Sequence, residues 1–158
     1  MILIYNTIMG TKGNQLDITR DIHASGLKVT AARQRILELF HASPQQHLTA
    51  EDVYRLLWAE HKDFGMATVY RVLMQFVAVE ILVRNQFENS PARFELNTGK
   101  HHDHMICTRC GRVEEFVDPD IERRQHAVAQ RSGFALVEHT LSLYGQCRHC
   151  GSERTTPA

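Results

Sequence analysis

The sequence predicts a two-domain α/β protein, in which a helical domain closed by a β-hairpin precedes a small α/β domain. Three observations predict it. Apolar residues recur at helical spacing in three segments between residues 30 and 79, the period then drops to two over residues 81–96, and all four cysteines stand as two close pairs beyond residue 106. With 158 residues the chain is near the size of one domain, yet long enough for two small ones sharing an interface. Hydrophobic residues make up 43% and charged residues 23%, an ordinary soluble composition. No apolar run reaches the roughly 18 residues of a spanning helix, so no membrane partner is expected.

The elements follow in order. Met1–Met9 is apolar but short, and no basic residue precedes it, so it reads poorly as a secretory signal. It reads better as an extension, or as a start that belongs at Met9, and the cytoplasm is the expected location. Residues 1–25 are taken as this extension with a short helix. Thr30 caps a helix with Ile36, Leu37 and Phe40 on one face, and Pro44 closes the linker behind it. Thr49-Ala50-Glu51-Asp52 comes close to a capping box and opens a second helix, whose stripe is Val53, Leu56 and Leu57. A third helix runs from about Met66 to Val79 with Val69, Val72, Leu73, Phe76 and Val77 inside, leaving Thr68, Tyr70, Arg71 and Gln75 outside. Residues 81–88 read as a strand, Asn89-Ser90-Pro91 as a turn and Arg93–Leu96 as the returning strand. Three helices and a hairpin form the winged helix-turn-helix arrangement, which sends a helix into the major groove of double-stranded DNA. This domain is placed at residues 26–97.

Residues 98–110 read as a polar connector rich in ligand-type side chains, with a hinge at 98–104. A strand near 112–117, a helix from Asp118-Pro119 to about Arg131 and a strand from Ala135 to Tyr144 then make a small α/β domain, residues 105–152, before a tail at 153–158. Two or three strands and one helix hardly make an independent core, so a homodimer with joined or packed sheets is expected.

Charge does not announce a nucleic-acid binder, since 18 basic residues match 18 acidic ones. DNA binding then needs a local patch or a bound cation. The ten histidines are the unusual number. Cys107-Thr108-Arg109-Cys110 and Cys147-Arg148-His149-Cys150 each have the two-residue spacer that aims two sulfurs at one ion, and together they supply the four thiolates of a structural Zn2+ site. Gly111 and Gly151 follow each pair, where a knuckle often needs a positive φ. A disulfide framework is disfavoured without secretion, and a redox dithiol leaves the duplication unexplained. In His101-His102-Asp103-His104, extended backbone sends His102 and His104 one way and His101 and Asp103 the other, so one tetrapeptide can serve two sites. Glu95, Glu115, Glu122 and His139 are the distant donors available, His139 in phase with Val137, Leu141 and Leu143. Mixed nitrogen and carboxylate ligation suits Fe2+, Mn2+, Co2+ or Zn2+. His23, His41, His61, His126 and His149 read as solvated.

These segments resemble the ferric uptake regulator family, above all its iron-responsive branch. The resemblance is carried by residues 26–33, 49–54 and 65–73, by Phe94-Glu95-Leu96, by His101–His104, by the first cysteine pair with Gly111, and by Leu143-Tyr144-Gly145-Gln146-Cys147. It spans about four fifths of the chain, from Gly26 to Cys150. It implies a winged helix followed by a dimerisation domain, and a dimer that binds A/T-rich palindromic operators when loaded with Fe2+. It further implies a regulatory site of His47, Glu95, His102, His104 and Glu115, a second site of His101, Asp103, Glu122 and His139, and structural zinc on the cysteines. Lys28, Tyr70 and Arg71 match DNA-contacting positions, and Arg33 and Thr68 join them as candidates. Mn2+, Co2+ or Zn2+ are expected to replace the iron in vitro. The chain departs from the family near Glu80, where relatives commonly carry glycine or a small residue, and it lacks the His-rich tail of some relatives. Glutamates at 95 and 115, where the peroxide-sensing branch tends to use aspartates, favour iron; the zinc-responsive branch is the runner-up. A metalloenzyme is disfavoured, because no nucleophile elbow or metalloprotease helix accompanies the ligands.

Overall fold

The computed structural model describes residues 12–43, 47–88 and 90–151. The expectations for Met1–Met9, Pro44, Asn89 and the 153–158 tail lie outside the described residues. The chain divides after Thr98 into two compact units.

In the first unit, α1 (Lys12–Ala24) and α2 (Ala31–Ala42) precede the short strand β1 (Leu48–Thr49). Then come α3 (Ala50–Ala59), α4 (Met66–Ala78), β2 (Leu82–Asn85) and β3 (Arg93–Leu96). Local chemistry sets the helix starts. The Thr30 hydroxyl accepts from the Arg33 N–H at 3.3 Å. Thr49 and Asp52 close a reciprocal capping box, with the Asp52 N–H donating to Thr49 Oγ1 at 3.0 Å and the Thr49 N–H donating to Asp52 Oδ2 at 2.9 Å. Behind these caps the 3.6-residue period delivers Ile36, Leu37, Phe40, Val53, Leu57, Val69, Val72, Leu73 and Phe76 to one buried cluster. Each such side chain contributes roughly 1.5–3 kcal/mol on burial. Leu56 and Val77, expected inside, are only partly buried at its margin. Ile18 and Ile22 of α1 are buried in the same cluster, so the helix that sequence reading leaves outside the winged helix is part of its core.

The sheet has three strands rather than a hairpin alone, in the order β1-β3-β2, all antiparallel. Leu48 pairs with Phe94 and Thr49 with Arg93, a register that sets His47 against Glu95. At the end of α4, the Glu80 N–H donates to Val77 O at 3.1 Å and the Ile81 N–H to Phe76 O at 2.9 Å. This is a Schellman stop whose left-handed residue is Glu80, φ 59°, in the stretch where the resemblance implies glycine or a small residue.

In the second unit, β4 (Asp103–Cys107) is central, flanked by antiparallel β5 (Val113–Phe116) and parallel β6 (Ser142–Gly145). α5 (Pro119–Arg131) makes the crossover, with Pro119 in its first turn and Asp118 Oδ1 accepting from the N–H groups of Asp120 and Ile121 at 2.8 and 3.2 Å. Three expectations are corrected here. The polar connector ends inside the sheet: its last residues form β4, which buries Asp103, His104, Ile106 and Cys107. Donor side chains occupy inward positions that apolar residues usually hold, which hides the strand pattern. The last strand starts at Ser142, not Ala135, because its register against β4 begins with His104 opposite Ser142 and leaves earlier residues without a partner strand. His139 therefore precedes the strand. Finally, Gly111 has φ 71°, as its knuckle turn requires, whereas Gly151 does not. Gly111 must send the chain straight back into β5, with the Cys107 N–H donating to Arg112 O at 2.8 Å.

Candidate metal centres and reading helix

The cysteine site is built by two knuckles at one end of the second sheet. Cys107 ends β4 and Cys147 follows β6; the Gly111 N–H donates to Cys107 O and the Cys150 N–H to Cys147 O, both at 2.9 Å. Parallel pairing of β6 with β4 brings the knuckles together, fastened by the Thr108 N–H to Gly145 O at 2.8 Å and by Arg109 Nη1 to Cys150 O at 2.6 Å. The four sulfurs are unbridged and lie within 4.8 Å of one another. Cys110 Sγ and Cys147 Sγ are 3.8 Å apart. Tetrahedral zinc with bonds of about 2.3 Å needs sulfurs about 3.8 Å apart, so the site fits that ion. Its electrostatics agree. The Cys107 thiol is brought down to about 6 by the N–H of Cys147, then by those of Cys110 and Arg109, while Cys150 is pushed up to about 12 by hydrogen bonds with the thiols of Cys110 and Cys147. Without a cation the cluster holds thiolate charge unevenly; a dication favours all four as thiolates.

A second centre lies between β4, α5 and the segment before β6. His101, Asp103, Glu122 and His139 offer donor atoms within 4.8 Å of one another. Glu122 Oε1 lies 3.2 Å from Nε2 of both His101 and His139, and Oε2 lies 3.1 Å from His139 Nε2. Burial pushes the Glu122 carboxyl up, but the hydrogen bond from His139 and the charges of His139 and His101 outweigh it and leave it below its ordinary value. Asp103 is fully buried; its Oδ1 accepts from the Leu141 N–H at 3.2 Å, and its Oδ2 has no hydrogen-bond partner. A buried carboxylate oxygen left unpaired is costly unless a cation compensates it, so this donor set also fits a metal.

The remaining donors fall in both units. In the first, His47 Nε2 and Glu95 Oε2 are 2.9 Å apart, both residues are buried, and Asn85 Nδ2 donates to Glu95 Oε1 at 2.6 Å. Asn85 was not singled out from the sequence, because an amide beside a carboxylate leaves no motif. In the second unit, the His102 and His104 rings are 5.0 Å apart, Glu115 stands opposite His104 across β4 and β5, and His102 Nε2 is 4.0 Å from Glu115 Oε1. The backbone alternation thus separates His102 and His104 from His101 and Asp103.

On α4, Tyr70 and Arg71 are exposed and Thr68 is half-buried. Met66 and Met74, not singled out from the sequence, are exposed on the same helix. Gln75 does not face outward freely: its Oε1 accepts from Arg33 Nη2 at 2.9 Å and Nε at 3.3 Å. Arg33 Nη1 also donates to Lys28 O at 2.5 Å. Arg33 therefore ties the Lys28 segment and α2 to α4, while Lys28 itself is exposed.

A winged helix joined to an α/β unit with thiolate and imidazole–carboxylate donor sets defines a metal-dependent DNA-binding regulator. The Ferric uptake regulator family profile matches residues 24–144. The ferric uptake regulation protein of Cupriavidus metallidurans is 61% identical over 127 residues, covering 80% of this chain and 89% of that one. Its counterpart in Bordetella parapertussis is 56% identical over 129 residues, covering 82% and 93%. Among solved structures, the Vibrio cholerae ferric uptake regulator superposes with a TM-score of 0.76 at 43% identity, covering 82% of this chain and 98% of its own. The Francisella tularensis ferric uptake regulator, solved with iron, does so with a TM-score of 0.75 at 40% identity, covering 79% and 95%. The chain belongs to the ferric uptake regulator family. Members of this family are DNA-binding transcription factors that act as homodimers, not enzymes. No helix among the described residues is long and apolar enough to cross a membrane.

Proposed function

We propose that this chain is a cytoplasmic repressor that binds A/T-rich palindromic operators as a homodimer when loaded with ferrous iron, and so controls iron-uptake genes. One observation carries the reading: the buried His47–Glu95 pair belongs to the first unit, whereas His102, His104 and Glu115 belong to the second. An ion that drew donors from both units would make metal occupancy a restraint on the DNA-reading unit. Ferrous iron supplies a divalent charge suited to imidazole and carboxylate donors. His47 and Glu95, when they share one ion with His102, His104 and Glu115, fix the reading head relative to the dimer core. Two heads at fixed spacing match two half-sites of a palindrome, whereas loosely hinged heads lose more entropy on docking. Neutralising Glu95 and Glu115 also lowers repulsion from the phosphate backbone.

The dimer reading is supported by the second unit's exposed apolar surface, with Phe134 at 72% and Val137 at 96% exposure. Iron is supported by the ferric uptake regulation proteins that are 61% and 56% identical and by the Francisella structure solved with iron. Zinc at the cysteine cage is supported by its sulfur spacing. The test is an anaerobic titration of an inverted-repeat operator with wild type and His104→Ala, with and without Fe(II), Mn(II) or Zn(II). Wild type should gain affinity on metal addition and the variant should not. Equal midpoints and equal gains for both proteins move the sensor away from this site, and a response to Zn(II) alone moves the chain to the zinc-responsive branch.

A further inference from the structure

His126, set aside with the solvated histidines from sequence, stands one turn beyond Glu122 on α5. Residues four apart share a helix face with Cβ atoms about 5–6 Å apart, a spacing at which both side chains can reach one ion. The His126 ring lies edge-on to His139, centroids 6.5 Å apart, while His101 and His139 are 4.1 Å apart. Two imidazoles on opposite sides of one ion, each bonded at about 2.0–2.1 Å, place their centroids about 6.4 Å apart; His126 stands at that range, although its nitrogens lie outside the 4.8 Å cluster of the other four donors and the ring must turn to bind. His126 is exposed, so its side chain can turn toward the centre without disturbing the core. The centre also has room for another donor. His101, Asp103, Glu122 and His139 offer two nitrogens and two carboxylates, enough for four-coordinate zinc but short of the five or six donors typical of other divalent transition metals.

We propose that His126 is a fifth ligand of the His101–Asp103–Glu122–His139 centre, completing a set of three imidazoles and two carboxylates that prefers cobalt- or zinc-like ions to manganese. Imidazole suits the later metals, whereas carboxylate and water suit manganese, so a third nitrogen widens the gap between them. This rests on reading the cluster as a metal centre.

The probe is Co(II), added to zinc-loaded dimer carrying His104→Ala to silence the other imidazole-rich site. Visible absorption follows binding, and paramagnetically shifted imidazole N–H resonances count the histidine ligands. In this background the centre should show three such resonances. Adding His126→Ala should remove one of them and weaken Co(II) about tenfold or more, at least the loss typical of an outer-shell partner, with little effect on Mn(II). His139→Ala should abolish the site. If the background binds Co(II), loses it with His139→Ala, yet keeps its midpoint and resonance count with His126→Ala, the fifth ligand is wrong and the centre stands. If the background binds no Co(II), the centre itself is wrong and His126 falls with it.

Discussion

Four helices of the first unit close over a continuous apolar cluster from Ile18 to Phe94, while the second unit buries only Asp103, His104, Ile106 and Cys107 among its described residues. α5 has no buried residue at all, and its own Val128 is half exposed. One unit is thus an ordinary hydrophobic domain; the other places metal donors where a core would be. Such a unit depends on ion binding and on a second copy for stability, as small domains with too little apolar volume generally do. The contrast has a functional consequence. The apolar cluster of the first unit contains no metal donor, so in the proposed mechanism the regulatory ion has only to orient that unit, not to fold it.

The largest expected effect breaks the second unit alone. Cys107→Ala leaves the cage one sulfur short, and structural zinc accounts for roughly 10–16 kcal/mol of apparent binding energy in small domains. Amide exchange protection in β4, β5 and β6 should collapse while α2, α3 and α4 remain protected. Full retention of protection in β4 would show that apolar contacts hold this sheet. The converse change is Phe76→Ala, which empties a fully buried site in α4 and should cost about 3–5 kcal/mol in denaturant unfolding of the first unit, with zinc content unchanged. Loss of zinc in that variant would couple two units that the account treats as independently stabilised.

Smaller effects sharpen the comparison within the reading unit. Arg71→Ala should weaken operator binding by about 1–3 kcal/mol if the guanidinium grips a base edge, leaving metal content and dimer mass unaltered in a titration followed by fluorescence anisotropy. The same measurement on Arg33→Lys separates contact from positioning: Lys keeps the charge but loses the fork that holds Gln75 and the Lys28 carbonyl. The smallest change is Glu80→Gly. A non-glycine residue in the left-handed region costs about 1–2 kcal/mol, part of which glycine returns through its greater freedom when unfolded. A net gain of about 0.5–1 kcal/mol in thermal unfolding is expected, and a loss would mean that the Glu80 side chain contributes a contact of its own.

The two units were also unequally legible in the sequence. Caps such as Thr30, Thr49 with Asp52, and Asp118 with Pro119 are local signals, and the helices they open begin within a residue of where the sequence places them. β1 gave no such signal, because two residues pairing with a strand more than forty positions away have no periodicity to read. The alternation at 135–144 misled in the opposite sense: Val137 points its apolar side chain to solvent, so the pattern reflects an uncovered face more than a strand. For the sites, cysteine spacing was enough to propose the cage, and backbone alternation enough to part His102 and His104 from His101 and Asp103. The Arg33–Gln75 tie joins residues 42 apart, and the orphaned Asp103 oxygen depends on its neighbours in space. Neither could be read from spacing.

If one ion draws donors from both units and thereby sets the reading heads, as proposed, metal and operator binding are mutually dependent. Linkage then requires operator DNA to tighten the metal by the same factor by which metal tightens the operator. The direct measurement is an anaerobic Mn(II) titration of the zinc-loaded dimer, with and without saturating inverted-repeat DNA, set beside the operator titration with and without Mn(II). Wild type should give equal factors in the two experiments, and His104→Ala a factor near one in both. Mn(II) binding at this site that tightens equally with non-specific DNA, or not at all with operator, would contradict it.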